Sequence, residues 1–181
     1  VVYVRMSIRY LPTEEELEQM DDFRAGRILG WLYTEKYEQS VGYQVIQSLY
    51  AIGSGSFLGK GLGNGTQKLS AIPEAQNDMI FAIVCEELGV VGAVLLFLLY
   101  GYLLYQMYVI VKESSNVFGS MIVIGVIIHL VCQIVINVSV ATNLFPNTGV
   151  TLPFISSGGS ALLMTMVECG MCIGIRRQQT R

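Results

Sequence analysis

From Val90 to Val111 the chain runs 22 residues without a charged side chain. A helix of that length reaches about 33 Å, enough to cross a bilayer core of about 30 Å. Two further apolar runs follow, so the pattern predicts three spans, at about 88–111, 117–138 and 157–175, the last interrupted at its start by Gly158-Gly159. The fold class expected is an all-α polytopic membrane protein. Ahead of the first span, Pro73 to Gly89 carries acidic and amide side chains straight into apolar sequence, with Asp78 two to three helical turns outside the span. Earlier still, Thr13 and Glu16 form a capping-box pattern that predicts the start of a short surface helix. Val1-Val-Tyr-Val4 reads as the end of an apolar segment cut short. The expectation is therefore a C-terminal portion of a larger protein. Residues 1–77 would form the end of a preceding span plus a large extracytoplasmic loop, and 78–181 a membrane domain with a cytoplasmic tail.

Composition agrees: 52% of residues are hydrophobic, 14% are charged and mean hydropathy is +0.53, which excludes an ordinary soluble domain. The first 77 residues hold 16 of the 25 formal charges, and between Glu113 and Arg176 the only charged side chain is Glu168. Lys112 and the tail residues Arg176, Arg177 and Arg181 fall on one side of the three spans, whereas loop 139–156 on the other side has no Lys or Arg. The positive-inside rule then places the tail in the cytoplasm, and loop 139–156, Asp78 and residues 12–77 outside. With net charge −3, nucleic acid is not an expected partner.

Candidate chemistry is sparse. Cys85, Cys132, Cys169 and Cys172 all lie in or beside apolar helix; Cys169-x-x-Cys172 has no second pair and no nearby histidine, so packing is the expected role. His129, the single histidine, lies mid-span and should face the bundle interior in a structural hydrogen bond. Glu168, if buried and unpaired, would be neutral, and Glu168→Gln nearly silent. Residues 53–65 contain six glycines, but a P-loop would need a glycine where Ser54 stands and a serine or threonine where Gly61 stands. Such a segment suits either close backbone approach to an anion or flat packing against a helix.

The blocks Tyr43-Gln44, Gln47-Ser48, Ala51-Ile-Gly-Ser-Gly55, Gly59-Lys-Gly-Leu-Gly63, Gln67-Lys68, Pro73-Glu74, Asp78-x-Ile-Phe-Ala82 and Glu86-Glu-Leu-Gly89 occur in that order. Further on stand Gln133-x-x-x-Asn137, Pro146-x-Thr-Gly149-x-x-Leu-Pro-Phe-Ile155 and Ser157-Gly-Gly-Ser160. In order and spacing the chain resembles the SEDS family, the FtsW, RodA and SpoVE proteins of bacterial division, elongation and sporulation, over nearly all of residues 24–175. The family usually has His-Thr before the aspartate and Phe after it, where Gln76-Asn77 and Met79 stand here, and Ser-Tyr where this chain has Ser156-Ser157.

The resemblance implies a peptidoglycan glycosyltransferase of the bacterial cytoplasmic membrane, with about ten spans and an extracytoplasmic active face. It would polymerise lipid II into glycan strands beside a class B penicillin-binding protein. It implies Asp78 as the catalytic carboxylate, with Lys68, Glu74 and the Ser157-Gly158-Gly159 turn lining the substrate cavity. The reaction needs a base for the attacking sugar hydroxyl and positive charge for the leaving lipid pyrophosphate. Asp78 supplies the first; Lys68, Lys60 or a divalent cation, Mg or Mn, would supply the second. Burial at the membrane surface would raise the Asp78 pKa toward that of a useful base, whereas Asn77 capping a helix with Asp78 in its first turn would favour the ionised carboxylate, and the sequence leaves both open. Glu86, eight residues beyond Asp78, would lie about 12 Å away along such a helix, too far for a glycosidase-like pair. Two other classes compete. A lipid-precursor flippase or transporter would depend on Glu168 and His129, and a non-catalytic scaffold would tolerate changes at either Asp78 or Glu168.

Overall fold

The computed structural model describes residues 23–34, 36, 42–65, 78–114 and 116–179. The expected capping box at Thr13 lies outside them, as do Lys68 and Glu74. The described residues form five helices and no strand: α1 (Phe23–Leu32), α2 (Tyr43–Ser54), α3 (Ile80–Glu113), α4 (Val117–Ala141) and α5 (Gly159–Gln179). Three of them, α3, α4 and α5, are long and apolar enough to cross a membrane. The protein is thus an all-α, multi-pass membrane protein, as the apolar runs predicted.

The spans pack as successive antiparallel neighbours. The turn between α3 and α4 is short, and Asn116 closes it by accepting a hydrogen bond from the Phe118 N–H at 3.1 Å, the side-chain cap that an Asx residue commonly provides. Between α4 and α5, a side chain at Gly119 would meet Ile175, and His129 lies beside Glu168; residue numbers rise on one helix as they fall on the other. Two apolar clusters stack along the bundle. One gathers Val45 of α2, Phe81, Leu96 and Tyr100 of α3, Ile134 and Val140 of α4, and Leu152. The other, nearer the α3–α4 turn, joins Met107 and Ile110 to Val123, Val126 and Leu130, with Cys172 of α5 among them. All four cysteines are free thiols, and Cys172 is a packing residue.

Helix α3 begins at Ile80 and runs on into the predicted 88–111 span, and Glu86 and Glu87 within it are buried in the fold. Its helical path then breaks at Gly89, whose φ of 64° and ψ of −160° suit glycine alone. Gly158-Gly159, the break expected from sequence, lies at the very start of α5.

The glycine-rich segment after α2 explains the break. The Val90 and Val91 N–H groups, which in a continuous helix would donate to Glu86 and Glu87, donate to the carbonyls of Ser56 and Phe57 at 3.3 and 3.4 Å. The vacated carbonyls of Glu86 and Glu87 accept from the N–H groups of Lys60 and Gly61 at 2.9 and 3.0 Å. The chain exchanges four groups with the helix and leaves none of them wanting, as burial demands. Glycine is required for this approach: a Cβ at Gly55 would stand 1.9 Å from the Cys85 carbonyl oxygen, and one at Gly59 2.2 Å from that of Glu87. Flat packing against a helix is therefore what the glycines provide. An ion pair closes the clasp, Lys60 Nζ, on a side chain 31% exposed, lying 2.7 Å from Oε1 of the fully buried Glu86.

Candidate functional site

Asp78 lies outside the helix. Met79 occupies the cap position of α3 and Ile80 is its first helical residue, so Asp78 precedes the helix and is not in its first turn. The expected straight 12 Å run from Asp78 to Glu86 along one helix fails for the same reason. Asp78 is half-buried, and its backbone is fixed from α4: the Asn137 amide donates one hydrogen to the Asp78 carbonyl at 2.9 Å and the other to the Val150 carbonyl at 2.8 Å. Asn137 is 1% exposed. Both of its donors are spent on holding two separate chain segments at one place. That is the strongest geometric feature around Asp78, and the sequence showed only that Asn137 belonged to a motif block.

The second segment is the loop from Thr142 to Gly158. Gly149, with φ 71°, turns the chain so that a Cβ there would lie 3.7 Å from Oδ2 of Asp78; the carboxylate rests against the loop backbone. Gly158 lies against Thr151, two residues beyond Gly149. Ser156 accepts the Leu152 N–H with its hydroxyl at 2.8 Å, closing the turn that delivers Ser157, Gly158 and Gly159 to the head of α5. The structure thus brings Asp78 and the loop carrying the Ser157-Gly158-Gly159 turn to one end of the bundle.

Further bonds hold this loop to every neighbouring element. Tyr100 of α3 donates to the Pro153 carbonyl at 2.7 Å, and Asn147 donates to Gln44 of α2 at 3.0 Å. The Trp31 indole N–H of α1 reaches the Asn143 carbonyl at 3.1 Å, and just before the loop Ser48 of α2 places its hydroxyl between the carbonyls of Val45 and of Ala141 at the end of α4. Such cross-braced geometry holds groups in place before a substrate arrives.

The ammonium of Lys60 is paired with the Glu86 carboxylate at 2.7 Å, with its side chain 31% exposed. Among the described residues no group of three or more His, Cys, Asp and Glu side chains converges on a possible metal position. Glu168, for which the sequence left open a polar cavity, a paired partner or snorkelling toward the cytoplasmic end, is paired: His129 Nδ1 lies 2.9 and 3.0 Å from its two oxygens. The reason is the register of α4 and α5, which the separate spans do not disclose.

Comparisons with known proteins give this geometry a family. Stage V sporulation protein E of Bacillus subtilis (strain 168) is 41% identical over 155 residues, covering 86% of this chain and 42% of that protein. A probable peptidoglycan glycosyltransferase FtsW of Trichlorobacter lovleyi is 37% identical over 153 residues, covering 84% and 40%. A solved chain from a study titled "Structural coordination of polymerization and crosslinking by a peptidoglycan synthase complex" matches with a TM-score of 0.68 and 30% identity, over 90% of this chain and 44% of that one. The chain therefore spans about two fifths of the length of the curated relatives it matches. The family model described as "Cell cycle protein", FtsW/RodA/SpoVE, matches residues 4–181, and with the all-helical fold and the ordered motif blocks it follows that the chain belongs to the FtsW/RodA/SpoVE family.

Proposed function

We propose that this chain carries the reaction centre of a peptidoglycan glycosyltransferase that polymerises lipid II at the outer face of the bacterial cytoplasmic membrane, beside a class B penicillin-binding protein. The observation that carries the reading is the carboxylate of Asp78, seated against Gly149 on a backbone that Asn137 ties to the same loop. Relatives named as probable peptidoglycan glycosyltransferases support it, as does the solved likeness from a synthase complex.

In this reading Asp78 accepts the proton of a sugar hydroxyl as that oxygen bonds to the anomeric carbon of a second lipid-linked sugar. The bond from that carbon to the lipid pyrophosphate breaks, and the pyrophosphate leaves with the bonding pair. An activated leaving group of this kind needs no general acid, so one carboxylate suffices. Lys68 and Glu74 contact the substrate, and Ser157 with the small Gly158-Gly159 turn lets its sugar or phosphate approach the backbone closely. The negative charge on the pyrophosphate is met by Lys68, and a divalent cation, Mg or Mn, would supply Lewis-acid help to the leaving group if one binds with the substrate. The test is polymerisation of lipid II by the full-length protein with its transpeptidase partner. Failure to form any glycan polymer under conditions where the partner is folded and bound defeats the assignment.

Orientation is checked separately. In a background lacking Cys85, Cys132, Cys169 and Cys172, single cysteines at Ser70 and at the exposed Thr148 are expected to react with an impermeant thiol reagent in intact cells, and one at Ser115 to stay unlabelled until the membrane is opened. Labelling at Ser115 alone reverses the topology.

A further inference from the structure

Glu168 and His129 make a polar contact within two helices that are otherwise apolar at that level. The imidazole Nδ1 sits 2.9 Å from one carboxylate oxygen and 3.0 Å from the other, so a single bridging proton joins α4 to α5. The pair is only partly covered, with side-chain exposures of 47% for His129 and 21% for Glu168. Ionisable groups at membrane depth are costly when alone and are retained where they pair. Reaction chemistry gives them no direct part: Glu168 lies nine residues, about 14 Å, along α5 from Gly159, and His129 eight residues, about 12 Å, along α4 from Asn137.

Those distances define what the pair can do. Asn137 fixes Asp78 and Val150 to α4, while Gly159 opens α5. The pair is thus a cross-tie about equally far below both anchor points. Helix α5 is the least buried of the three spans. Cys169, Cys172 and Ile175 join an apolar cluster on the side of Glu168 away from the site, and Thr165, 2% exposed, packs on the site side with its hydroxyl donating to the Ala161 carbonyl at 2.8 Å. Glu168 therefore stands between the apolar-packed foot of α5 and the part that carries the Ser157-Gly158-Gly159 turn.

We propose that the His129–Glu168 pair is a positioning device: it sets how far α5 stands along α4, and through that the place of the Ser157-Gly158-Gly159 turn relative to Asp78. Both are positioning residues that touch no substrate. The proposal rests on Asp78 and that turn forming one reaction site, the reading given under the proposed function.

Pairing is tested by reversal, because a swapped pair restores the bond whereas an unrelated packing role is not rescued. The full-length protein carries His129→Glu, Glu168→His, or both changes. Two readouts are taken. Spin labels on cysteines at Ser157 and at the exposed Phe118, in the background lacking native cysteines, report the distance from the head of α5 to the foot of α4. Unlabelled versions of the same three proteins report the rate of lipid II polymerisation. Each single change, which leaves two like groups facing each other, is expected to broaden or shift the distance distribution and to slow polymerisation by about tenfold or more at saturating substrate. The swapped double variant is expected to recover the wild-type distance and a rate within about threefold. A double variant no better than the worse single one overturns the pair as a positioning device. So does a full set of wild-type rates alongside altered distances. If the wild-type protein makes no polymer, the polymerase reading fails, and so does the pair's part in catalysis; the distances still decide whether the pair sets the register.

Discussion

Full-length protein carrying Asp78→Asn is expected to insert, fold and bind its transpeptidase partner, and to make no detectable glycan polymer from lipid II. The structure supports the separation of folding from chemistry that this requires. Asn137 holds Asp78 through its backbone carbonyl, so the residue keeps its place whatever its side chain becomes. Asparagine preserves the volume beside Gly149 while removing the carboxylate's charge and its capacity to accept a proton. A general base contributes about 10²–10⁴-fold, equivalent to about 3–5 kcal/mol of barrier. The measurement is polymer length and yield on gels with a fixed amount of lipid II, with partner binding followed by co-purification. Polymerisation within a few-fold of wild type would remove Asp78 from its role, and among the described residues no other carboxylate lies against the loop at Gly149.

Gly89→Ala is expected to have the largest effect on stability. A side chain there meets two independent obstacles: a φ of 64° with ψ −160° costs a non-glycine residue about 1–3 kcal/mol, and the new Cβ would stand 2.4 Å from the Gly59 nitrogen and 2.6 Å from the Phe57 oxygen. Relief of the collision pushes the glycine-rich segment away and strips partners from four backbone groups, each worth about 1–3 kcal/mol when left buried and unmet. The sum, roughly 5 kcal/mol or more, rivals the whole stability of many domains. The expected readout is a melting temperature at least about 10 °C lower in detergent, or no monodisperse protein. Gly101→Ala is the control, because a Cβ there touches nothing within 4 Å in mid-helix, and it should be neutral or slightly stabilising. Equal melting temperatures for the two variants would refute the strain argument.

Periodicity and charge located the three spans because a bilayer imposes length and apolarity on each helix separately, and those are local properties. Val117–Ala141 departs from the predicted 117–138 by one turn. What local reading missed lies between elements. Glu86 and Glu87 looked like residues outside the membrane span because charge usually means water; the burial of Glu86 depends on Lys60, in a loop 26 residues earlier. The His129–Glu168 contact joins residues 39 apart and follows from how two helices slide past each other. The glycine count in 53–65 did signal close approach, yet only the partner's backbone revealed to what. At the candidate site, Asp78 and the Ser157-Gly158-Gly159 turn were legible as motif blocks, whereas Asn137, which fastens their segments together, acts through main-chain atoms that no side-chain pattern records.

The exchanged bonds at Gly89 also bear on how α3 is completed. A break in a helix leaves polar backbone that must find partners elsewhere in the chain, so α3 on its own is not a closed helix. It is completed when residues 56–61, made earlier, fold back onto it. Residues 56–61 thus act as a substitute turn for the helix that follows, and without them α3 would carry four open backbone groups at the break.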